Sequence, residues 1–142
     1  MTKFNFDGGI MEWVVNIKYF SKGAKKFNED YVGVTTYTWW VLDGSHCGVK
    51  LTQNDATWFV TTYSKYLTEF AEKFHLNLEI VLEKALYKTT LEHEILKRNA
   101  NIDEREYINP TIVLGVIRLN PLKEQLEIYK LGDVWLPPYP KG

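Results

Sequence analysis

Residues 37–42, Tyr-Thr-Trp-Trp-Val-Leu, are apolar at nearly every position and run directly into Asp43-Gly44. A strand that alternates apolar and polar residues needs cover on one face only, whereas a run apolar on both faces needs cover on both. This segment therefore belongs in the middle of a packed sheet, with strands on either side. The adjacent Trp39 and Trp40 put one indole on each face, as expected of a sheet packed on both sides.

Candidate partners for that strand lie before and after it. Residues 12–21 alternate, with Trp13, Val15, Ile17 and Tyr19 on one side and Asn16 and Lys18 on the other, which predicts a half-buried strand. Residues 31–34 read as a short second strand. Residues 111–119 are β-branched and apolar on both faces, again a central strand. Asn120-Pro121-Leu122-Lys123 turns the chain, and 125–131 alternate as the returning arm of a hairpin. Pro137, Pro138 and Pro140 end regular structure, and residues 1–11 read as a loose lead-in.

The centre of the chain switches from period two to period 3.6. Ala56, Phe59, Val60, Tyr63, Leu67, Phe70, Ala71 and Phe74 follow the spacing of one helical face. Thr52-Gln53-Asn54-Asp55 ahead of them resembles a start signal, a hydroxyl with an acid three residues later. A second helix is predicted over 78–98, with Leu78, Leu82, Ala85, Leu86, Thr89 and Leu96 facing inward. His75-Leu76-Asn77 leaves room only for a tight antiparallel connection, and 99–109 read as a polar loop. Strands, two helices, then strands make an α+β layered domain.

At 142 residues the chain is long enough for one domain with a real core. Its formal net charge of -1 argues against nucleic acid as the main partner. Cys47 is the sole cysteine, which excludes an internal disulfide and fits a reducing compartment. No signal region and no run long enough to span a bilayer are visible, so a cytoplasmic protein is expected.

Two acidic elements carry the chemistry. Asp43 ends an apolar strand, and Gly44 has no Cβ to shield its carbonyl. Glu29 and Asp30 precede the neighbouring strand, and Lys25 lies five residues before Asp30. Carboxylate and carbonyl oxygens suit hard divalent cations, and lysine can meet a phosphate as a point charge. The same residues also suit simpler roles, Asp-Gly as a turn and Glu-Asp as a solvated loop. His93-Glu94-Ile95-Leu96-Lys97 begins like a zinc-protease helix but has lysine where the second histidine belongs. Cys47 beside His46 has no identifiable third group to make a nucleophile of it.

Gly23-Ala24-Lys25-Lys26-Phe27-Asn28-Glu29-Asp30 resembles the first signature of the metal-dependent type 2C protein serine/threonine phosphatases, in which Gly-x-Arg precedes Asn-Glu-Asp. Val41-Leu42-Asp43-Gly44 is similar to that family's second signature. Asn109-Pro110-Thr111, with the following strand and Leu131-Gly132-Asp133, resembles its Gly-x-Thr strand and Gly-Asp hairpin. The likeness covers about Trp13 to Trp135 in order and spacing. It implies a β-sandwich flanked by helix pairs, with Mn²⁺ or Mg²⁺ at one end between the sheets. It further implies that Asp43 bridges two ions, the Gly44 carbonyl binds one, Glu29 and Asp30 hold their waters, and Lys25 stands at the phosphate-binding arginine. The implied reaction is hydrolysis of phosphoserine or phosphothreonine in a protein substrate.

The sequence departs from that pattern in three places. Lysine at 25 lacks the bidentate fork of arginine. Ser45 occupies the position of the family's proposed general-acid histidine, with His46 one residue later. The family's further aspartates come from a C-terminal half beyond the Gly-Asp hairpin, and this sequence is expected to lack them. A non-catalytic phosphatase-like module, binding a protein or dimerising through an open sheet edge, is the alternative expectation.

Overall fold

The computed structural model describes residues 2–5 and 28–132. Strands β1 (Thr2–Asn5), β2 (Asp30–Val34) and β3 (Thr38–Ser45) precede helices α1 (Asp55–Phe70) and α2 (Leu78–Ala100). Strands β4 (Thr111–Asn120) and β5 (Gln125–Leu131) follow. The strands form one antiparallel sheet in the order β1-β5-β4-β3-β2, so β3 and β4 are interior, as their two-sided apolarity requires. Part of the expected loose lead-in is in fact strand, since Thr2–Asn5 extends the sheet alongside β5. The expected strand at 12–21, Lys25 and Asp133 lie outside the described residues.

Both helices cover the same face. Trp40 and Leu42 of β3 and Leu114 and Val116 of β4 are buried against Phe59, Val60, Tyr63, Leu67, Val81, Leu82 and Ala85. The Trp40 indole donates to Ser64 Oγ at 2.8 Å, which satisfies its one polar atom inside the core. Opposite it stands Gly33, where a Cβ would sit 2.1 Å from the indole ring. The second face carries a smaller cluster of Leu119, Leu126 and Ile128 with Trp39 and Ile117. Among the described residues the architecture is thus an α+β arrangement of one antiparallel sheet and a helix pair.

The helix ends differ from the sequence expectation for local reasons. Helix α1 is capped by Asn54, whose side chain accepts from the Thr57 N–H at 2.9 Å. Thr52 instead bonds Asp55 through its hydroxyl (2.7 Å) and its N–H (2.8 Å). The helix stops at Phe70 rather than Phe74, and β4 side chains collect carbonyls of the turn that follows it. The buried Arg118 guanidinium donates to Ala71 O at 3.1 Å and Leu76 O at 2.7 Å, and Asn120 Nδ2 donates to Phe74 O at 2.9 Å. The fully buried Glu127 holds that guanidinium at 2.9 Å.

The antiparallel connection over 75–77 is found, with Lys65–Glu92 and Lys88–Glu69 pairs bridging the helices. Helix α2 ends on Asn101 with φ 50, a left-handed cap that asparagine tolerates. Its inner stripe is Leu78, Val81, Leu82, Ala85, Thr89 and His93, whereas Leu86, expected inside, is exposed.

Candidate functional site

Register decides which acidic residues meet. Asp30 is the direct cross-strand partner of Asp43. The Gly44 N–H donates to Glu29 O at 2.8 Å, and Thr35 N–H donates to Thr38 O at 2.8 Å farther along the same ladder. In an antiparallel ladder hydrogen-bonded and non-hydrogen-bonded pairs alternate, so Asp30 and Asp43 form a non-hydrogen-bonded pair. Such a pair brings the side chains closest together, with Cα atoms about 4.5 Å apart. The Asp30 N–H accordingly turns aside and donates to Asn28 Oδ1 at 2.9 Å.

Alternation along β3 puts Trp40, Leu42 and Gly44 on the helix side. Asp43, and with it Asp30, therefore lies on the opposite face, at the end of the apolar surface formed by Val32, Val41 and Trp39. Helix α1 fixes this corner. Thr57 Oγ1 donates to Asn28 O at 2.9 Å, tying the entry of β2 to the first turn of the helix. A Cβ on Gly44 would meet Val60 Cγ1 at 2.8 Å and Ala56 O at 3.1 Å. Glycine here is thus required by helix packing, a constraint the sequence reading assigned only to carbonyl access.

The structure brings Asp30 and Asp43 together. It aligns Glu29 with Gly44 one position off the pair, engaging Glu29 through its carbonyl. Among the described residues no three His, Cys, Asp or Glu side chains gather as a metal-binding group. Two opposed carboxylates nevertheless fit Mg²⁺ or Mn²⁺, since magnesium is commonly held by one or two carboxylates together with waters and phosphate oxygens.

His46 is not brought to that pair. Three residues past Asp43 and on the helix side, its side chain is 3% exposed, with Nε2 3.8 Å from Asp55 Oδ2 and its ring 5.4 Å from that of Tyr107. It borders a polar cluster that the sequence reading missed. Asp55 accepts from Leu51 N–H, from both donors of Thr52, and from the Tyr107 hydroxyl at 2.7 Å. His93 Nε2 lies 2.9 Å from the same hydroxyl. Because that hydroxyl gives its single proton to Asp55, the short contact with His93 makes Nε2 the donor and fixes the tautomer.

Burial pushes the Asp55 carboxyl up, but its hydrogen bonds from Leu51, Tyr107 and Thr52 outweigh this and hold it below the usual carboxylate value. Burial, reinforced by Lys97, lowers His93, which favours the neutral ring. Burial and the Asp55 carboxylate raise the Tyr107 hydroxyl. The sequence held one signal of this cluster. His93 continues the inner spacing of Ala85 and Thr89, and Tyr107 is the lone aromatic in the polar stretch 99–109.

Compared with protein-family models, curated proteins and solved structures, the chain matches none. No described helix is long and apolar enough to cross a membrane.

Proposed function

We propose that this chain is a type 2C phosphatase-like domain, a cytoplasmic metal-dependent hydrolase of phosphoserine or phosphothreonine in proteins. The observation that carries the reading is the direct pairing of Asp30 with Asp43 on the sheet face opposite the helices. In the sandwich implied by the resemblance, that face meets a second sheet and the cations lie at its end. Asp43 and Asp30 would hold Mn²⁺ or Mg²⁺, with the Gly44 carbonyl and Glu29 contributing beside them. A cation held there supplies charge neutralisation for the phosphoryl oxygens and acidifies water. The chain's own part is positional. The contacts of Asn28 with Thr57 and of Gly44 with Val60 keep the two carboxylates in register as phosphate approaches. Lys25 would meet the phosphate as a point charge.

The test is hydrolysis of p-nitrophenyl phosphate and of a phosphothreonine peptide with and without Mn²⁺. Turnover that requires the ion and is lost in Asp43→Asn and Asp30→Asn is expected. Turnover unchanged in both variants, or no manganese-induced rise in melting temperature, defeats the reading. A non-catalytic protein-binding module is the second reading. It draws support from Val34, 56% exposed on β2, which pairs only with β3 among the described residues.

A further inference from the structure

Helix α2 is apolar at two opposite poles. Leu78, Leu82, Ala85, Thr89 and His93 face the core. At 3.6 residues per turn, Ile80, Tyr87 and Leu91 fall directly opposite them, with Ile95 half a step aside. These four are exposed by 37%, 66%, 47% and 53% respectively, far more than one stray surface hydrophobe. The stripe spans four turns, and aligned apolar residues on the outer pole of a helix serve no packing within the described residues.

The line of Ile80, Tyr87 and Leu91 is flanked by opposite charges. Glu83 lies on one side and Lys84 on the other, at nearly the same height along the axis. Two copies paired head to head about a twofold axis parallel to α2 set each acid rim against the other copy's base rim. Antiparallel copies would set acid against acid and base against base. We propose that the outer face of α2 is a homodimer interface in which two copies of this chain pack their α2 helices in parallel. Ile80, Tyr87 and Leu91 then meet their own counterparts on the axis, and Glu83 meets Lys84 of the second copy twice. The interface is independent of the carboxylate pair, and it is distinct from pairing through the β2 edge. A seam one helix wide is small against the roughly 1,600 Å² of standard complexes, so association at micromolar concentrations is expected.

Sedimentation velocity over a concentration series tests this. Reversible dimers are expected for the native chain, with at least tenfold weaker association in Leu91→Glu and in Lys84→Glu. Recovery is expected when Lys84→Glu is combined with Glu83→Lys. In a Cys47→Ser background, Ile80→Cys is expected to cross-link to itself under mild oxidation, which only the parallel arrangement allows. Because all these positions are exposed, circular dichroism should show unchanged helix content. A monomer at every concentration overturns the proposal. So does a dimer indifferent to Leu91→Glu, or cross-linking only between mixed Ile80→Cys and Ile95→Cys chains.

Discussion

At the scale of single residues, the described structure depends most on groups whose roles are invisible without their partners. Tyr107 is the clearest. Its hydroxyl joins Asp55 at the start of α1 to His93 on α2, and Tyr107→Phe leaves the His93 N–H without an acceptor in a buried site. A loss of about 1–3 kcal/mol in urea unfolding is expected. The cluster also sets an acid limit. His93 titrates below its ordinary value of 6.5, so the unfolded chain binds a proton first as pH falls and stability declines from there. Asp55 is lowered as well, so its contribution holds above the ordinary carboxylate range and fades as pH drops through the folded-state value. Unfolding midpoints measured from pH 8 to about pH 3 should fall in two stages, and His93→Gln should flatten the first. Gly33→Ala is expected to cost about 1–3 kcal/mol, because the new methyl collides with the Trp40 indole.

Among the elements, those defined by a single periodicity could be read from sequence, and those ended by distant side chains could not. Strand β5 has the bounds its alternation predicts, and β4 differs from expectation by one residue. Both helices sit where the 3.6 spacing puts them. The C-terminus of α1 was not legible, since Arg118 and Asn120, more than forty residues away, collect the carbonyls of Ala71, Phe74 and Leu76. The Asp30–Asp43 pairing was half legible, because both acids stand out locally while their register depends on the turn between them. His46 follows the end of β3, and its contacts with Asp55 and Tyr107 on the helix side were not legible from its neighbours in sequence. Removing one member of the Arg118–Glu127 pair should destabilise by about 3–5 kcal/mol. Arg118→Met with Glu127→Leu should restore only part of this, because the Ala71 and Leu76 carbonyls past the end of α1 lose their donor. Guanidinium unfolding of the three variants measures the difference.

For the whole molecule, the sheet order puts β3 and β4 in the interior, each paired along both edges. Hydrogen exchange should find their amides slowest, near the global unfolding limit, while those of β2 open earlier. The loop between β2 and β3, closed by the Thr35–Thr38 hydrogen bond, acts as a gauge for the pair of acids five residues farther along. Adding or deleting one residue there would leave every amino acid of both strands intact and still rotate Asp30 toward the helices. That hairpin should therefore tolerate changes of composition far more readily than changes of length. An insertion series across residues 35–37 would test the proposed manganese site directly through ladder parity.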